Sequence, residues 1–410
     1  MKLYNMNNLD LQPLNILFIA SYYVPYMIGG AEKMLKIHAE SLAQRGHHVT
    51  IATLGPQSGI VKESPVNGVD IIRMPVRNLF WPLETRKSYI QKISWHLIDC
   101  YNPMHFHDLK QVIREVRPQL VICESIAGWS PAIWKEIASF NLPVLQFVHD
   151  QSFLCGKGIM FKNGHYCSKP CLDCRILRLG YLISSRYVSH FIFVSHSQQQ
   201  FYKECHFPKV PSTVIYNAEP LSLEKKNEIW NPTKVMRIGI LGTLTRHKGL
   251  LNLIKAFKLL KGRFELFVGG NFSSEAFHNE TLLLVDDDPR IHLMGRVNSD
   301  DFFRHMDLTV VPSLWFESFG LVAVESCAKQ VPIVVSNFGG LTEIVQEGIN
   351  GLSCDTTNIK SLAMTIQKIH DDEQLYKRLV EGTHSSIANF IDVNGMTDQI
   401  ELLSQSVLKR

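Results

Sequence analysis

Short apolar runs alternate with helix-length segments along almost the whole chain, and this alternation constrains the fold more than any other feature. In the first half, runs such as Ile16–Ala20 and Val144–Val148 are separated by segments long enough for a helix. Short, fully apolar runs are typical of strands buried on both faces, and intervening helices are typical of βαβ units. The pattern restarts at Arg237–Leu241 and continues through Ile333–Val335. The sequence therefore predicts an α/β fold of two doubly wound halves, each built on a parallel sheet.

The length of the chain and a break in this pattern predict how the two halves divide. Single hydrophobic cores stop growing at about 250–300 residues, and the chain has 410. Four prolines interrupt the periodic pattern between Phe207 and Lys234. The predicted organisation is a Rossmann-like N-terminal domain at 13–210 that includes a cysteine loop at 151–178, a Rossmann-like C-terminal domain at 211–389, and a final helix at 390–410 that packs back on the first domain.

Composition and charge argue against several classes of protein. The net charge of +4 is small and the basic residues are scattered, so nucleic acid is not expected as a partner. The sequence has no run of about 18 apolar residues, so no transmembrane helix is predicted. The polar residues Met1–Gln12 lead into an apolar run of strand length, so no secretory signal is expected. We therefore expect a cytoplasmic protein, with peripheral contact to the inner face of a membrane left open.

A pair of glycines, Gly29 and Gly30, follows the first predicted strand and its loop and directly precedes a helix. Glycine lets a ligand approach the backbone closely, and a helix N-terminus offers unpaired N–H groups to a phosphate. A tight strand-to-helix turn would also place glycines here. The spacing is not that of a dinucleotide fingerprint, so a hydride-transfer enzyme is not favoured.

The segment from Gly242 to Gly249 also lies between a strand and a helix, and it carries Thr243, Arg246 and Lys248. A cation between two glycines at the end of a strand suits a pyrophosphate, because Lys248 supplies charge and backbone N–H groups supply directional bonds. The residues beside the lysine are not those of a Walker loop. A solvated surface loop is the alternative interpretation.

Two glutamates eight residues apart, Glu317 and Glu325, flank the sequence Phe319, Gly320 and Leu321. A helix that begins near Phe319 would direct the N–H groups of its first turn at an anion. Glu325 would then accept hydrogen bonds from ribose hydroxyls, and Glu317 would reach the hydroxyls of a sugar beyond the pyrophosphate. The alternative interpretation is two glutamates without a binding role at a helix end, and the intervening Phe-Gly-Leu argues against it.

Further residues after this pair complete a family pattern, namely Ala328, Pro332, Gly339, Gly340, Glu343, Asn350 and Gly351. With them, the segment Pro312–Cys354 resembles the nucleotide-binding core of the "group 1" family of GT-B retaining glycosyltransferases. The N-terminal half is similar to the same family, in the same order, at Gly29-Gly30-Ala31-Glu32, His149-Asp150, Val194–Ser197 and Tyr216-Asn217. The resemblance covers almost the whole chain and implies two Rossmann-like domains that face a central cleft.

The resemblance also implies an activity and roles for particular residues. It implies transfer of a hexose, with retention of configuration, from a nucleoside diphosphate sugar to a glycan or lipid-linked acceptor in polysaccharide or lipopolysaccharide assembly. Lys248 would contact the pyrophosphate, Glu325 the ribose and Glu317 the donor sugar, while His149 would lie beside the sugar at the reaction centre. No catalytic metal is expected, because Lys248, Arg246 and a helix N-terminus would stabilise the leaving group.

One departure from the family pattern keeps other functions open. Thr243 stands where the family usually has arginine, and Arg246 is the candidate to replace the missing charge. A non-catalytic protein that binds nucleotide sugars is therefore an alternative, as is a sugar-phosphate synthase of the same fold.

Four cysteines lie within twenty residues just after His149: Cys155, Cys167, Cys171 and Cys174. Four thiolates on a short loop suit tetrahedral zinc, which would stabilise a loop with little core of its own. A disulfide is disfavoured without an export signal, and an iron–sulfur cluster is conceivable. Basic and aromatic residues interleave with the cysteines, so the loop could meet a phosphorylated lipid or an anionic glycan, or could simply be solvated.

Overall fold

The computed structural model describes residues 12–27, 29–83, 87–207 and 210–409. Most of the N-terminal segment in which no secretory signal is expected lies outside these residues, as does Pro208 of the predicted break. The chain forms two compact units, one of Met1–Phe147, Gly180–Phe191 and Thr397–Arg410, the other of Val148–Leu179 and Ile192–Met396. The domain boundary predicted at residue 210 stays a prediction.

Strands and helices alternate through most of the described chain. The strands are β1 (Asn15–Ala20), β2 (His48–Gly55), β3 (Val61–Val66), β4 (Val69–Pro75), β5 (Leu120–Cys123), β6 (Val144–Val148), β7 (Phe161–Lys162), β8 (His165–Tyr166), β9 (His190–Phe193), β10 (Ser212–Val214), β11 (Met236–Leu241), β12 (Phe264–Gly269), β13 (Ile291–Gly295), β14 (Leu308–Val311), β15 (Ile333–Ser336) and β16 (Gly351–Cys354). The α-helices are α1 (Gly30–Gln44), α2 (Tyr89–Cys100), α3 (Phe106–Val116), α4 (Ala132–Ala138), α5 (Leu172–Leu177), α6 (Leu179–Ser184), α7 (His196–Glu204), α8 (Leu250–Phe257), α9 (Glu275–Val285), α10 (Ser299–Arg304), α11 (Leu321–Ala328), α12 (Leu341–Ile344), α13 (Ile359–Asp371), α14 (Glu373–Ser386), α15 (Ala388–Ile391) and α16 (Val393–Leu408). Short 3-10 helices occur at Pro103–His105, Ser185–Tyr187 and Arg246–Lys248. No helix in the described part of the chain is long and apolar enough to cross a membrane.

The second unit contains a sheet whose strands, among the described residues, run in the order β13-β12-β11-β14-β15-β16. Every neighbouring pair in it is parallel. The chain moves outward from β11 to β13 and then returns to the other side of β11 to begin β14. The loops that follow β11 and β14 therefore diverge from adjacent strand ends, which is the switch point where doubly wound sheets bind ligands.

The strands of this sheet are apolar at consecutive positions because helices cover both of its faces. All four residues of β14 and all four of β15 are buried. On one face Ile238 and Leu266 lie in a core cluster that also contains residues of α8, α13 and α14. A second cluster joins Val335 to residues of α11 and α12. This packing holds the ends of β11 and β14 in fixed positions.

The other sheet has the strand order β10-β9-β6-β5-β1-β2-β4-β3 among the described residues. Strand β1 pairs in parallel with both β2 and β5, while β3 pairs antiparallel with β4 at the edge. The loop that follows β1 thus leaves from the middle of this sheet and leads to Gly29 and α1. Two doubly wound α/β sheets confirm the predicted fold class.

The C-terminal part of α16, from Thr397 onward, belongs to the first unit. There Glu401 lies 2.9 Å from His47 Nε2 and accepts a hydrogen bond from Arg45 at 2.6 Å. The backbone N–H of Leu14 donates to His47 Nδ1, so the ring proton is on Nε2 and donates to Glu401. Burial alone would raise the pKa of Glu401, but His47 and Arg45 together lower it. A buried His47–Glu401 hydrogen bond and a partly buried Arg45–Glu401 ion pair therefore hold this part of α16 within the first unit.

Candidate active site

The loops after β11 and β14 lie against each other at the switch point of the second sheet. Gly249 has φ of 78°, and a Cβ there would lie 1.8 Å from the carbonyl oxygen of Pro312. Only glycine allows this approach without displacing the backbone. The N–H of Leu314 also donates to the carbonyl of His247 at 2.8 Å. These contacts place Lys248, on the first loop, beside Glu317, on the second.

The ammonium group of Lys248 forms an ion pair with the carboxylate of Glu317. Its Nζ lies 2.9 and 2.8 Å from the two oxygens, one of which also accepts from Ser313 Oγ at 3.0 Å and Trp315 Nε1 at 2.9 Å. Burial alone would raise the pKa of Glu317, but the charge of Lys248 and these hydrogen bonds lower it below its usual value. The carboxylate is therefore ionised near neutral pH and held in one orientation.

Aromatic rings enclose this ion pair. Lys248 Nζ lies 5.2 Å from the centre of the Trp315 ring, and the His247 ring meets Trp315 edge-on at 5.1 Å. His247 Nε2 is 3.0 Å from the hydroxyl of Thr245. Burial, followed by the charge of Lys248, lowers the pKa of His247 to about 4. His247 is therefore neutral at neutral pH, and Lys248 is the charged member of this pair of neighbours.

Glycines shape the turn between Glu317 and α11. Gly320 precedes the helix with φ of 117°, a conformation that disfavours side chains. Gly340 donates its N–H to the carbonyl of Glu317 at 2.7 Å, and a Cβ on it would lie 2.3 Å from the carbonyl oxygen of Ser318. Phe319 is buried in the adjoining core cluster. The Phe-Gly pair thus positions the turn, and the first N–H groups of α11 begin at Leu321.

Glu325 lies on α11 one turn after Leu321, so the two side chains share a face of the helix. Both residues are only partly buried. A carboxylate in this position is accessible to a ligand that reaches the N-terminal end of α11. The ribose-binding role of Glu325 stays a prediction.

The chain around His149 is fixed to the Glu317 loop within the second unit. His149 follows directly after β6 and is partly buried. Two residues later, the side-chain amide of Gln151 donates to the carbonyl of Phe316 at 3.2 Å and to the hydroxyl of Ser318 at 3.1 Å. Those two acceptors directly flank Glu317 in sequence. Gln151 is a positioning residue that the sequence alone did not identify.

Sequence analysis did not identify Ser313 and Trp315, which precede Glu317 by four and two residues. Both direct a donor at the Glu317 carboxylate. The loop that carries them bends at residues 314 and 315. Strand alternation therefore could not have predicted these contacts, which depend on the folded shape of the loop after β14.

The N-terminus of α7 holds a further carboxylate. The backbone N–H groups of His196 and Ser197 donate to Glu343 at 2.9 and 2.6 Å, and Tyr216 donates its hydroxyl at 2.8 Å. Backbone N–H groups at a helix N-terminus are suitable donors to a carboxylate. Glu343 therefore connects motifs that are far apart in sequence through three hydrogen bonds.

Thr243 and Arg246 were the other candidate donor-binding residues on the loop that carries Lys248, and their surroundings differ from those of the lysine. Thr243 is exposed after Gly242, which has φ of 141°. The Arg246 guanidinium donates to Glu280 at 2.7 Å and lies 5.6 Å from the centre of the Phe277 ring on α9. Arg246 is thus already paired in this structure, and Lys248 is the cation beside the carboxylate.

Gly29 and Gly30 lie in the first unit at the start of α1. Gly29 is extended, and its N–H donates to the Glu32 carboxylate at 2.7 Å. Both glycines are exposed. This bond stabilises the strand-to-helix turn, and ligand binding there stays a prediction.

The cysteine loop holds four free thiols, of which Cys155 is buried. The thiol of Cys174 hydrogen bonds to Cys155, and with backbone N–H groups of residues 157, 159 and 160 it outweighs burial and lowers the pKa of Cys155 to about 5. Among the described residues, however, no group of three or more His, Cys, Asp or Glu side chains is placed to hold a metal ion. Structural zinc bound by Cys155, Cys167, Cys171 and Cys174 therefore stays a prediction.

Comparisons with known proteins find family matches for both halves of the chain. The family model for glycosyl transferases group 1 matches residues 223–385, and the model for glycosyltransferase family 4 matches residues 28–221. An uncharacterized 42.6 kDa protein in the cps region of Klebsiella pneumoniae is 30% identical over 335 residues, which are 81% of this chain and 87% of that protein. The capsular polysaccharide biosynthesis glycosyltransferase CapM of Staphylococcus aureus is 26% identical over 45% of this chain and 50% of its own length.

Solved structures share the fold. A sucrose-phosphate synthase from Thermosynechococcus elongatus aligns with a TM-score of 0.76 at 17% identity and covers 96% of this chain and 99% of its own. HepE from Anabaena, in complex with UDP and glucose, aligns with a TM-score of 0.71 at 17% identity and covers 96% of this chain and 100% of its own. At this identity the likeness supports the two-sheet GT-B architecture.

Proposed function

The chain belongs to the glycosyl transferases group 1 family, and on that premise we propose that it transfers a hexose from a nucleoside diphosphate sugar to a glycan or lipid-linked acceptor, with retention of configuration. The observation that carries the proposal is the Lys248–Glu317 ion pair at the switch point of the second sheet. A cation and an oriented carboxylate at this position match a donor that has a diphosphate at one end and sugar hydroxyls at the other. HepE, a protein of the same fold, has also been solved in complex with UDP-glucose, which is a donor of that class.

The donor's diphosphate lies beside Lys248 and the N-terminus of α11 in this proposal. An ammonium group has three N–H donors, so Lys248 can bind a phosphate oxygen while it keeps one bond to Glu317. The first N–H groups of α11 add directional donors and partial positive charge. Glu325, farther along that helix, accepts from the ribose hydroxyls.

Glu317 orients the donor sugar. Its carboxylate is ionised and fixed by Ser313 and Trp315, so it accepts hydrogen bonds from sugar hydroxyls without having to reorganise. Because Lys248 neutralises its charge, Glu317 can hold the sugar without repelling the nearby diphosphate. This carboxylate is the part of the site that distinguishes a nucleotide sugar from a nucleotide alone.

In the proposed reaction, the bond between the anomeric carbon and the diphosphate oxygen breaks while the acceptor hydroxyl oxygen attacks the same face of that carbon. The acceptor's proton passes to the departing phosphate oxygen, so no charge is created without a partner. Lys248 and the N–H groups of α11 stabilise the growing negative charge, which is the largest electrostatic effect available to the site. His149 contacts the sugar and offers a polar ring near the positively charged anomeric carbon.

The cellular role we propose is assembly of a surface polysaccharide, capsule or lipopolysaccharide. It is supported by the Staphylococcus aureus relative named for capsular polysaccharide biosynthesis and by the Klebsiella pneumoniae relative from a cps region. A sugar-phosphate synthase is the second candidate, favoured by the fold shared with a sucrose-phosphate synthase. A soluble sugar phosphate would serve as acceptor only in that case.

The proposal is tested by incubating the protein with a panel of nucleotide sugars, each with lipid-linked glycans or with sugar phosphates. We expect one nucleotide sugar to release its nucleoside diphosphate in an acceptor-dependent reaction, with the anomeric configuration of the donor kept in the product by NMR. Glu317→Ala should lower kcat/KM at least about a hundredfold. Equal rates for Glu317→Ala and the natural protein would rule out this site as the reaction centre.

A further inference from the structure

A short β-hairpin within the cysteine loop is formed by β7 and β8. Asn163 and Gly164 join the two strands with φ of 54° and 82°, and positive φ at both central residues is what a two-residue type I′ turn requires. Phe161 pairs with Tyr166 across the hairpin. An isolated two-stranded hairpin is at best marginally stable in water. The position of this hairpin therefore depends on the residues against which it packs.

One face of the hairpin packs on three loops of the second unit. Directly paired residues point to the same face, so Phe161 and Tyr166 share one. The centre of the Phe161 ring lies 6.0 Å from that of His247, on the loop after β11. The Tyr166 ring lies 6.5 Å from Phe316, on the loop after β14, and stacks on Phe338, after β15, at 5.8 Å and 21°. The hairpin thus contacts the loops that follow three neighbouring strands of one sheet.

The contacts on the loops after β14 and β15 lie beside Glu317. Phe316 directly precedes Glu317 in the sequence. Phe338 lies two residues before Gly340, whose N–H donates to the carbonyl of Glu317 at 2.7 Å. The side-chain amide of Gln151, at the start of the same cysteine loop, donates to the carbonyl of Phe316 at 3.2 Å. Rings and hydrogen bonds from the cysteine loop therefore converge on the segment that carries this carboxylate.

The contact on the loop after β11 lies beside Lys248. His247 directly precedes it, and the carbonyl of His247 accepts from the N–H of Leu314, which joins this loop to the loop after β14. Tyr166 is 39% exposed, so its ring is not part of a buried core. His165, on the opposite face of the hairpin, is exposed as well. The packed face of the hairpin is therefore directed at the donor-binding loops and not at a core of its own.

We propose that the β7–β8 hairpin is a clamp that holds the donor-binding loops together, and that Phe161 and Tyr166 are positioning residues for sugar transfer. This inference rests on the proposed function. Because Lys248 and Glu317 lie on different loops, their separation depends on whatever restricts the loops relative to each other. Reactive groups must be held to within about 0.5 Å of the productive geometry, and a misplacement of about 1 Å can cost a hundredfold in rate. Rings that contact three loops at once supply this restriction.

The first test is amide hydrogen exchange of the full chain without ligand. In Tyr166→Ala, exchange at the Gly340 N–H should be at least about tenfold faster, because its hydrogen bond joins two of the clamped loops. In Phe161→Ala, the same increase is expected at the Leu314 N–H. Tyr166→Phe keeps the ring and should restore natural exchange. The matched control is His165→Ala, and exchange within β12 should be the same in every variant, which separates loss of the clamp from a general loss of stability.

The second test is steady-state kinetics with the nucleotide sugar and acceptor identified by the panel described above. Tyr166→Ala should lower kcat at least about tenfold, and Tyr166→Phe should restore most of it. Calorimetry should show that Tyr166→Ala keeps its affinity for the nucleoside diphosphate, because that ligand binds through Lys248 and α11. Natural exchange at both amides in the alanine variants, or a natural kcat in Tyr166→Ala, would overturn the clamp. Absence of transfer by the natural protein would contradict the proposed function instead, and hydrogen exchange would then decide whether the hairpin holds the loops.

Discussion

His247 and Lys248 are neighbours in sequence with opposite tendencies to carry charge. Lys248 is stabilised as a cation by Glu317, whereas His247 is surrounded by Trp315 and the lysine and is stabilised as a neutral ring. A histidine that stays neutral in the folded protein lowers the free energy of unfolding once the solution is acidic enough to protonate the same histidine in the unfolded chain. The site therefore has a pH dependence that can be traced to one residue.

His247→Gln should reduce the loss of stability on mild acidification. The pKa of His247 is lowered from 6.5 to about 4 in the folded protein. As pH falls from 6.5 towards 4, the unfolded chain binds a proton that the folded chain does not, so the free energy of unfolding decreases over that window. Urea denaturation at several pH values measures it. His165→Gln, at an exposed position, is the control and should keep the natural pH dependence; an unchanged dependence in His247→Gln would contradict the assignment.

At the scale of elements, the switch point depends on two loops that are held together by close backbone contact. The loop after β11 approaches the loop after β14 at Gly249 and Pro312, and the Glu317 loop approaches Gly340. Lys248 and Glu317 meet because these loops meet. The geometry of the ion pair is therefore sensitive to changes that do not touch either side chain.

Gly249→Ala should separate the two loops and lower both stability and donor binding. A Cβ would lie 1.8 Å from Pro312 O, in addition to the strain of φ at 78°. Gly46→Ala is the matched control, because Gly46 has φ of 90° and no atom within 4 Å of the added Cβ. We expect about 1–2 kcal/mol of destabilisation in the control and about 1–3 kcal/mol beyond that in Gly249→Ala. Equal losses of free energy of unfolding would show that the close contact is unimportant.

Buried strands could be predicted from the sequence, whereas exposed or short strands could not. Strands β11 and β15 were predicted because helices cover both faces of their sheet, which makes the sequence continuously apolar. The edge strand β3 was missed because its residues, Val61–Val66, are polar and mostly exposed. Strand β16 was missed because Gly351–Cys354 is short and carries little β propensity.

Site residues that belong to a sequence motif could be predicted. Contacts between residues that are far apart in sequence could not, because only the folded chain brings those residues together. Lys248 and Glu317 were identified, yet their contact joins residues 69 positions apart. Gln151 was missed because it acts across 165 positions, through a hydrogen bond that only the folded backbone brings about. Arg246 was offered as a replacement for the usual arginine, but its pairing with Glu280 depends on the position of α9.

At the scale of the whole molecule, the end of the chain contributes to the unit at its beginning. The C-terminal part of α16 joins the first unit through Glu401, His47 and Arg45, and Thr397 contacts Ser41 through their hydroxyls at 3.0 Å. The predicted packing of a final helix at 390–410 on the first domain stays a prediction. Stability of the first unit should therefore depend on residues near position 400.

Glu401→Ala should destabilise the protein by about 1–3 kcal/mol, because it leaves the buried His47 donor without its acceptor and removes one of the two carboxylates that pair with Arg45. Asp398→Ala is the control, because Asp398 also pairs with Arg45 but is 36% exposed. It should cost less than about 1 kcal/mol. Guanidinium denaturation of both variants measures the difference. A loss in Asp398→Ala that equals the loss in Glu401→Ala would contradict the importance of the buried pair.

The central claim is that Lys248 and Glu317 bind a nucleoside diphosphate sugar, and thermal stabilisation by ligands tests it most directly. A ligand that binds the folded state raises the melting temperature with its concentration. We predict that one nucleoside diphosphate and its sugar conjugate stabilise the natural protein, that Lys248→Ala loses both effects, and that Glu317→Gln loses only the additional effect of the sugar. Failure of every nucleoside diphosphate to raise the melting temperature, or equal stabilisation of Lys248→Ala, would contradict the account.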